Sequence, residues 1–131
     1  MPSCEQPTIS ACLIVKNEQR FLPGCLESIT GQVDECVVVD TGSTDRTTEI
    51  AAGFGCRLFS FPWIHDFSKA RNFGLTQARG QWILYIDADE RIELRGDDSL
   101  KQVLSGTNAI AARVRFHSGP SMTPYAEYRL F

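Results

Sequence analysis

The chain has 131 residues, 43% hydrophobic and 22% charged, a balance that excludes a disordered or low-complexity chain and fits one globular domain with a real core. Thirteen basic against sixteen acidic residues leave a net charge of -3, so nothing in bulk draws the chain to nucleic acid or an anionic membrane. Five cysteines (Cys4, Cys12, Cys25, Cys36, Cys56) without a Cys-x-x-Cys pair speak against a disulfide framework or zinc site, and no apolar run reaches the ~18 residues of a membrane span.

In chain order, Ile9 to Val15 is a mostly apolar strand that breaks into Lys16-Asn17-Glu18. Leu22, Cys25, Leu26 and Ile29 then fall at i, i+3, i+4 and i+7, between Pro23 and Gly31, and predict an amphipathic helix. Cys36 to Val39 is a buried β-branched strand running directly into Asp40-Thr41-Gly42-Ser43-Thr44-Asp45. Ser43, Thr44 or Asp45 is placed to cap the next helix, which ends near Gly53 or Gly55, and Arg57 to Phe59 is a short third strand.

Pro62 to Asp66 reads as a connector and Phe67 to Ala78 as a helix stopped by Gly80. Ala70, Gly74 and Ala78 give that helix a small face for close packing, while Ser68, Arg71 and Asn72 share another. Trp82 to Ile86 predicts a strand buried on both faces, ending in Asp87-Ala88-Asp89-Glu90. In extended chain Asp87 and Asp89 point the same way, and two carboxylates aimed at one point suit a hard divalent cation completed by water and phosphate. Beyond Glu90, Asp97 caps a short helix through Leu104 that ends at Gly106. Ile110 to His117 alternates as a strand with one wet face, and Tyr125 to Phe131 forms a last one after a Ser/Gly/Pro-rich loop.

The order β-α-β-α-β-α-β implies an α/β fold, three layers α/β/α around a mainly parallel, Rossmann-like sheet. Right-handed crossovers place the C-terminal ends of parallel strands on one rim, where such sheets bind ligands. Asn17, Asp40, Asp87 and Asp89 therefore meet although far apart in sequence. There Asp40 can accept from a nucleoside ring N–H or ribose hydroxyl, a cation at Asp89 can take a diphosphate, and Arg71 can add charge or donors. Blander readings stand beside these. Asp40 can simply hold the turn at Thr41 to Thr44, Lys69, Arg71 and Arg79 can form a solvated helix face, and Trp63 and Trp82 can be packing. His65 and His117 are isolated in sequence and support no metal cluster.

Four ordered blocks, Ile14-Val15-Lys16-Asn17-Glu18, Val37-Val38-Val39-Asp40-Thr41-Gly42-Ser43-Thr44-Asp45, Phe67-Ser68-Lys69-Ala70-Arg71-Asn72 and Tyr85-Ile86-Asp87-Ala88-Asp89-Glu90-Arg91, resemble the nucleotide-sugar-dependent family 2 glycosyltransferases of GT-A fold. The resemblance covers roughly residues 8 to 93, with Tyr128-Arg129-Leu130-Phe131 similar to a later segment of that family. It is nearest in wording to bacterial members that modify cell-surface glycans or carry helical repeats after the transferase domain. It implies a single GT-A domain over 1–131, with a donor- and metal-binding core at 8–93 and an incomplete acceptor-side start at 94–131, truncated at the C-terminus. Asp40 would recognise the donor's base or ribose, with Ile14, Val15 and Asn17 lining the nucleoside pocket and Arg71 near the base or phosphates. Asp87 and Ala88 would lie beside the ribose, and Asp89, with Asp87, would hold Mg2+ or Mn2+ on the diphosphate of a DXD-type site.

The activity so implied is metal-dependent, inverting hexosyl transfer from a nucleotide sugar, most simply a UDP-sugar, to a glycan, lipid or protein hydroxyl. The general base is expected after Phe131, so this chain would be the donor-binding half. The expected location is the cytoplasm, with a peripheral place at the inner membrane face left open. A sugar nucleotidyltransferase is the rival enzyme, opposed by the lack of a Gly-rich loop after the first strand. A nonenzymatic nucleotide-binding module is the rival of another class.

Overall fold

A computed structural model of the chain describes residues 8–62, 66–92, 99–105, 112–116 and 125–130. Strand β1 (Ile9–Val15) lies inside the sheet, and its alternating side chains divide the core. Ile9, Ala11, Leu13 and Val15 enter one apolar layer, Cys12 and Ile14 the other, as a two-residue period requires. β2 (Glu35–Asp40) pairs parallel to β1 on one side and carries β3 (Arg57–Ser60) outside it. β4 (Trp82–Tyr85) pairs parallel to β1 on the other side. Two further strands, β5 (Ala112–Phe116) and β6 (Tyr125–Leu130), complete a six-stranded sheet ordered β3-β2-β1-β4-β6-β5, with β6 antiparallel to both its neighbours.

Helices cover both faces. α1 (Leu22–Ile29) and α2 (Thr47–Gly53) put Leu22, Cys25, Leu26, Ile29 and Ala51 into the first layer. α3 (Phe67–Gln77) closes the second over Val37, Val39 and Cys12. α4 (Leu100–Ser105) adds Leu100 and Leu104 to the first layer. Burying each of Val37, Val38 and Val39 contributes about 1.5–3 kcal/mol, so β2 is held firmly. The small face expected on α3 is present: Ala70 is buried, and a Cβ on Gly74 would lie 3.1 Å from Val39 Cγ2.

The chain steps outward from β1 to β2 to β3 and then crosses to β4 on the far side of β1, so the strand order reverses beside β1. Ligands of open α/β sheets bind outside the C-terminal strand ends at such a reversal.

Three local expectations are corrected. Asp66 belongs to α3 as its N-cap, its carboxylate accepting from the Lys69 N–H at 3.2 Å, and the helix ends at Gln77 because Ala78 is extended. Gly80 is not the helix stop. It lies so close to β1 that an added Cβ would meet Ser10 N and Ser10 Oγ at 2.7 Å. β4 is fully enclosed only at Leu84 and Tyr85, while Trp82 and Ile83 are half-buried. Trp63, His65, Asp97, Gly106 and His117 lie outside the described residues.

Candidate functional site

The rim begins with Asn17, which adopts φ 54, a left-handed conformation that asparagine tolerates better than most residues. That turn folds the end of β1 over the loop after β2. The Asn17 N–H donates to Ser43 Oγ at 2.9 Å, and its Oδ1 accepts from the Thr44 N–H at 2.7 Å. Glu18 N–H donates to Thr47 Oγ1 at 2.8 Å, and Gln19 N–H to Asp45 Oδ2 at 3.2 Å. None of the three caps considered is the N-cap of α2, which is Arg46; Asp45, one residue before it, accepts from the Thr47 N–H at 2.9 Å, while Ser43 and Thr44 bind Asn17. The two loops form one hydrogen-bonded unit, and Asn17 is its hinge.

Asp40 is the last residue of β2 and is 7% exposed. Its Oδ2 accepts from the N–H groups of Gly42 and Ser43, both at 3.2 Å. The turn-holding role read from the sequence is therefore real, and it occupies one oxygen. Oδ1 is buried with no hydrogen-bond partner among the described residues. Buried carboxylate oxygens are costly to leave so, which makes this atom a candidate acceptor at the rim.

After β4 the extended geometry assumed for Asp87 and Asp89 is replaced by a turn. Glu90 N–H donates to the Asp87 carbonyl at 2.9 Å, and Asp87 N–H donates to Glu90 Oε1 at 2.9 Å. This closes Asp87 to Glu90 into a β-turn, so the two carboxylates are presented by the turn and not by strand alternation. Asp89 is exposed, Asp87 half-buried, and Ala88 is tucked into the core at 3% exposure. α1 braces the turn from behind. Cys25 Sγ donates to the Asp87 carbonyl at 3.5 Å, Ile92 N–H donates to Ser28 Oγ at 3.0 Å, and the Arg91 guanidinium lies over Gly24.

The rim is strongly acidic. Burial, then the charges of Asp89, Asp45 and Asp87, raise the Glu18 carboxyl above the usual carboxylate range. This joins the ends of β1, β2 and β4 electrostatically. Arg71 stands at the same rim, its guanidinium carbon 4.1 Å from the centre of the Tyr85 ring at the end of β4.

Of the residues singled out by sequence, Asn17, Asp40, Arg71, Asp87 and Asp89 reach the strand-end rim. Val15 and Ala88 give their side chains to the core, and Ile14 packs half-buried on the α3 side, so these three offer the rim mainly backbone. Sequence reasoning assigned no role to Glu18, Thr47, Cys25 or Ser28. Only Glu18 carried a visible signal, as part of the first strand's break into charge. No group of three or more His, Cys, Asp or Glu side chains forms a ready metal cage among the described residues.

A mainly parallel sheet with an acidic rim, a buried aspartate with one unpartnered oxygen among the described residues and an exposed carboxylate turn at the strand-order reversal defines an α/β protein with a candidate ligand site at its strand ends. Similarity to known proteins narrows the class. The model of "Glycosyl transferase family 2" matches residues 10–119, and the chain belongs to that family. A TPR repeat-containing protein of Synechococcus elongatus is 43% identical over 125 residues, covering 94% of this chain and 31% of that protein. The lipopolysaccharide core biosynthesis glycosyltransferase LpsC of Rhizobium meliloti is 33% identical, covering 88% of this chain and 46% of that one. Glucosyl-3-phosphoglycerate synthase from Mycobacterium tuberculosis, solved with Mn2+, UDP and glucosyl-3-phosphoglycerate, matches with a TM-score of 0.57 and 28% identity over 65% of this chain and 36% of that one. The chain spans about a third of the length of the first curated relatives it matches.

Proposed function

We propose that this chain is the donor-binding part of a glycosyltransferase that moves a sugar from a nucleoside diphosphate, UDP in the first instance, to an acceptor hydroxyl. The observation that carries the reading is the buried, unpartnered Asp40 Oδ1 at the end of β2. A ring N–H or ribose hydroxyl of a nucleoside would be the donor it lacks. Oδ2 stays with Gly42 and Ser43, so binding need not open the turn.

The diphosphate would lie toward Asp89. Acidic side chains alone would repel it, and the field of Asp89, Asp45 and Asp87 on Glu18 is what a divalent cation would balance. The donor set fits Mg2+ or Mn2+, which take one or two carboxylates and fill their other positions with water and phosphate oxygens. Asp89, with Asp87, would hold the cation, which when bound would neutralise charge developing on the departing diphosphate. Arg71, anchored on Tyr85, brings a second positive charge to the same rim. The M. tuberculosis neighbour, solved with Mn2+ and UDP, supports this choice of ligands.

The base that takes the acceptor's proton is expected from residues outside this sequence, as is the outcome at the anomeric carbon. Support for a donor-binding part comes from the share of its relatives that the chain spans.

Thermal unfolding tests the reading. Saturating UDP with Mn2+, at ~100 times its dissociation constant, would add about 2.7 kcal/mol of stability and raise the melting temperature. Stabilisation by nucleoside triphosphates, with diphosphates ignored, would replace this reading with a nucleotidyltransferase. No response to any nucleotide would overturn it.

A further inference from the structure

The opposite rim, where the parallel strands begin, carries chemistry that donor binding does not use. A cavity of about 180 Å³ opens there, lined among others by Leu26, Ile29, Asp34, Cys36, Phe54 and Cys56. Val37 is the register partner of Arg57 across β2 and β3. Cys36 and Cys56, one residue earlier in each segment, therefore stand side by side. Neighbouring strands lie ~4.8 Å apart, inside the ~4.4–6.8 Å between Cα atoms that a disulfide spans. Both thiols are free and half-buried, and each shifts the titration of the other.

The pair is asymmetric. Interaction with the Cys56 thiol, followed by burial, raises the Cys36 thiol, while interaction with Cys36 outweighs burial to lower that of Cys56. Cys56 is thus the better nucleophile and Cys36 the adjacent proton donor. The other two described cysteines differ. Burial pushes Cys12 up to about 11, aided by Glu35, and Cys25 up to about 12, aided by Glu90, Asp87 and Asp89. Both are enclosed in the core and inert by comparison.

We propose that Cys36 and Cys56 are an oxidisable dithiol, a modification site that a hydroperoxide converts to an intramolecular disulfide. The Cys56 thiol gives its proton to solvent, the thiolate attacks a peroxide oxygen, the O–O bond breaks, and the products are a sulfenic acid and a hydroxide that takes that proton back as one water. The Cys36 sulfur then displaces the hydroxyl from Cys56: the S–S bond forms, the S–O bond breaks, and the Cys36 proton leaves with the hydroxyl as a second water. Two electrons pass from the thiols to one hydrogen peroxide.

Exposure of the full chain to a small excess of hydrogen peroxide, quenching with N-ethylmaleimide and peptide mapping by mass spectrometry test this. The expected result is a loss of two hydrogens, a single linkage between the Cys36 and Cys56 peptides, and full reversal by dithiothreitol. Cys36→Ser would leave a Cys56 sulfenic acid that dimedone traps. In the unmutated chain, alkylation of both thiols after oxidation, or a linkage that maps to other cysteines, would overturn the proposal whether or not the variant folds.

Discussion

Cys25 in α1 donates its thiol hydrogen to the backbone carbonyl of Asp87, 3.5 Å away, tying a core helix to the turn that presents Asp89. Ser28, three residues on, accepts from the Ile92 N–H at 3.0 Å. The carboxylate turn is thus fixed at both ends, by its own Glu90 bonds and by one face of α1. The cation proposed at Asp89 would need such support to be held within a fraction of an ångström.

Removing the second brace should therefore cost both stability and affinity. Ser28→Ala deprives the Ile92 N–H of its acceptor, a change worth about 0.5–1.5 kcal/mol. Urea unfolding should show a loss of that size. Calorimetry should show UDP binding in Mn2+ weakened several-fold, with binding of uridine alone unchanged.

Asp40 sets stability against recognition. Asp40→Asn keeps an oxygen for Gly42 and Ser43 and puts an equally unpartnered NH2 where Oδ1 stood, so the ligand-free melting temperature should fall less than in Asp40→Ala. Asp40→Ala removes both turn hydrogen bonds and should lower stability by about 1–2 kcal/mol. A melting temperature equally reduced in both variants would mean that Oδ1 is satisfied in the free protein.

Gly80 tests the close approach of the α3–β4 connection to β1. Gly80→Ala places a methyl 2.7 Å from the backbone of Ser10, against the N–H side of the central strand. Overpacking of this kind costs about 1–3 kcal/mol, readable in chemical denaturation. Gly53→Ala, with open space around its Cβ, is the matched control and should not destabilise.

The lower rim makes stability depend on acid. Asp34 is held below the usual carboxylate range by the Lys101 ammonium, against some desolvation, with help from the Ile9 N–H. Burial works against Glu35, but Ser10, the Arg79 N–H and Arg57 outweigh it and lower that group too. Both groups bind fewer protons when folded than unfolded at mildly acidic pH, so stability rises with pH there. Their contribution is complete above the ordinary carboxylate range, near pH ~4, and is lost as pH falls through it toward the lowered values. Melting temperatures should fall over that window, and Asp34→Asn should start a few degrees lower at neutral pH and fall less.

The sheet was legible because the periodicity was strong: Ile9 to Val15 alternates layers as its pattern requires, and Val37 to Val39 are as buried as their β-branching suggests. The rim was legible because right-handed crossovers leave strand ends little choice. What the sequence hid was local backbone geometry and long-range side-chain bonding. Asp87 and Asp89 looked like strand alternation, and only the Glu90 hydrogen bonds reveal the turn. Asp66 carried an ordinary N-cap signature but sat at the end of a stretch read as connector. Asn17 looked like a ligand residue and is first a hinge, since its partners Ser43 and Thr44 are remote in sequence. Cys36 and Cys56 form no local motif, and only parallel register brings them side by side.

In the proposed donor site Asp40 and Asp89 hold opposite ends of one nucleotide. Calorimetric titration of uridine and of UDP with Mn2+ into the unmutated chain, Asp40→Asn and Asp89→Ala separates the two ends. Asp40→Asn should weaken both ligands alike, by about 1.5–3 kcal/mol or roughly 10–150-fold, the worth of a hydrogen bond to a charged group. Asp89→Ala should leave uridine untouched and abolish the gain from the diphosphate and Mn2+. Undiminished UDP binding in Mn2+ by Asp89→Ala, or undiminished uridine binding by Asp40→Asn, would contradict the account.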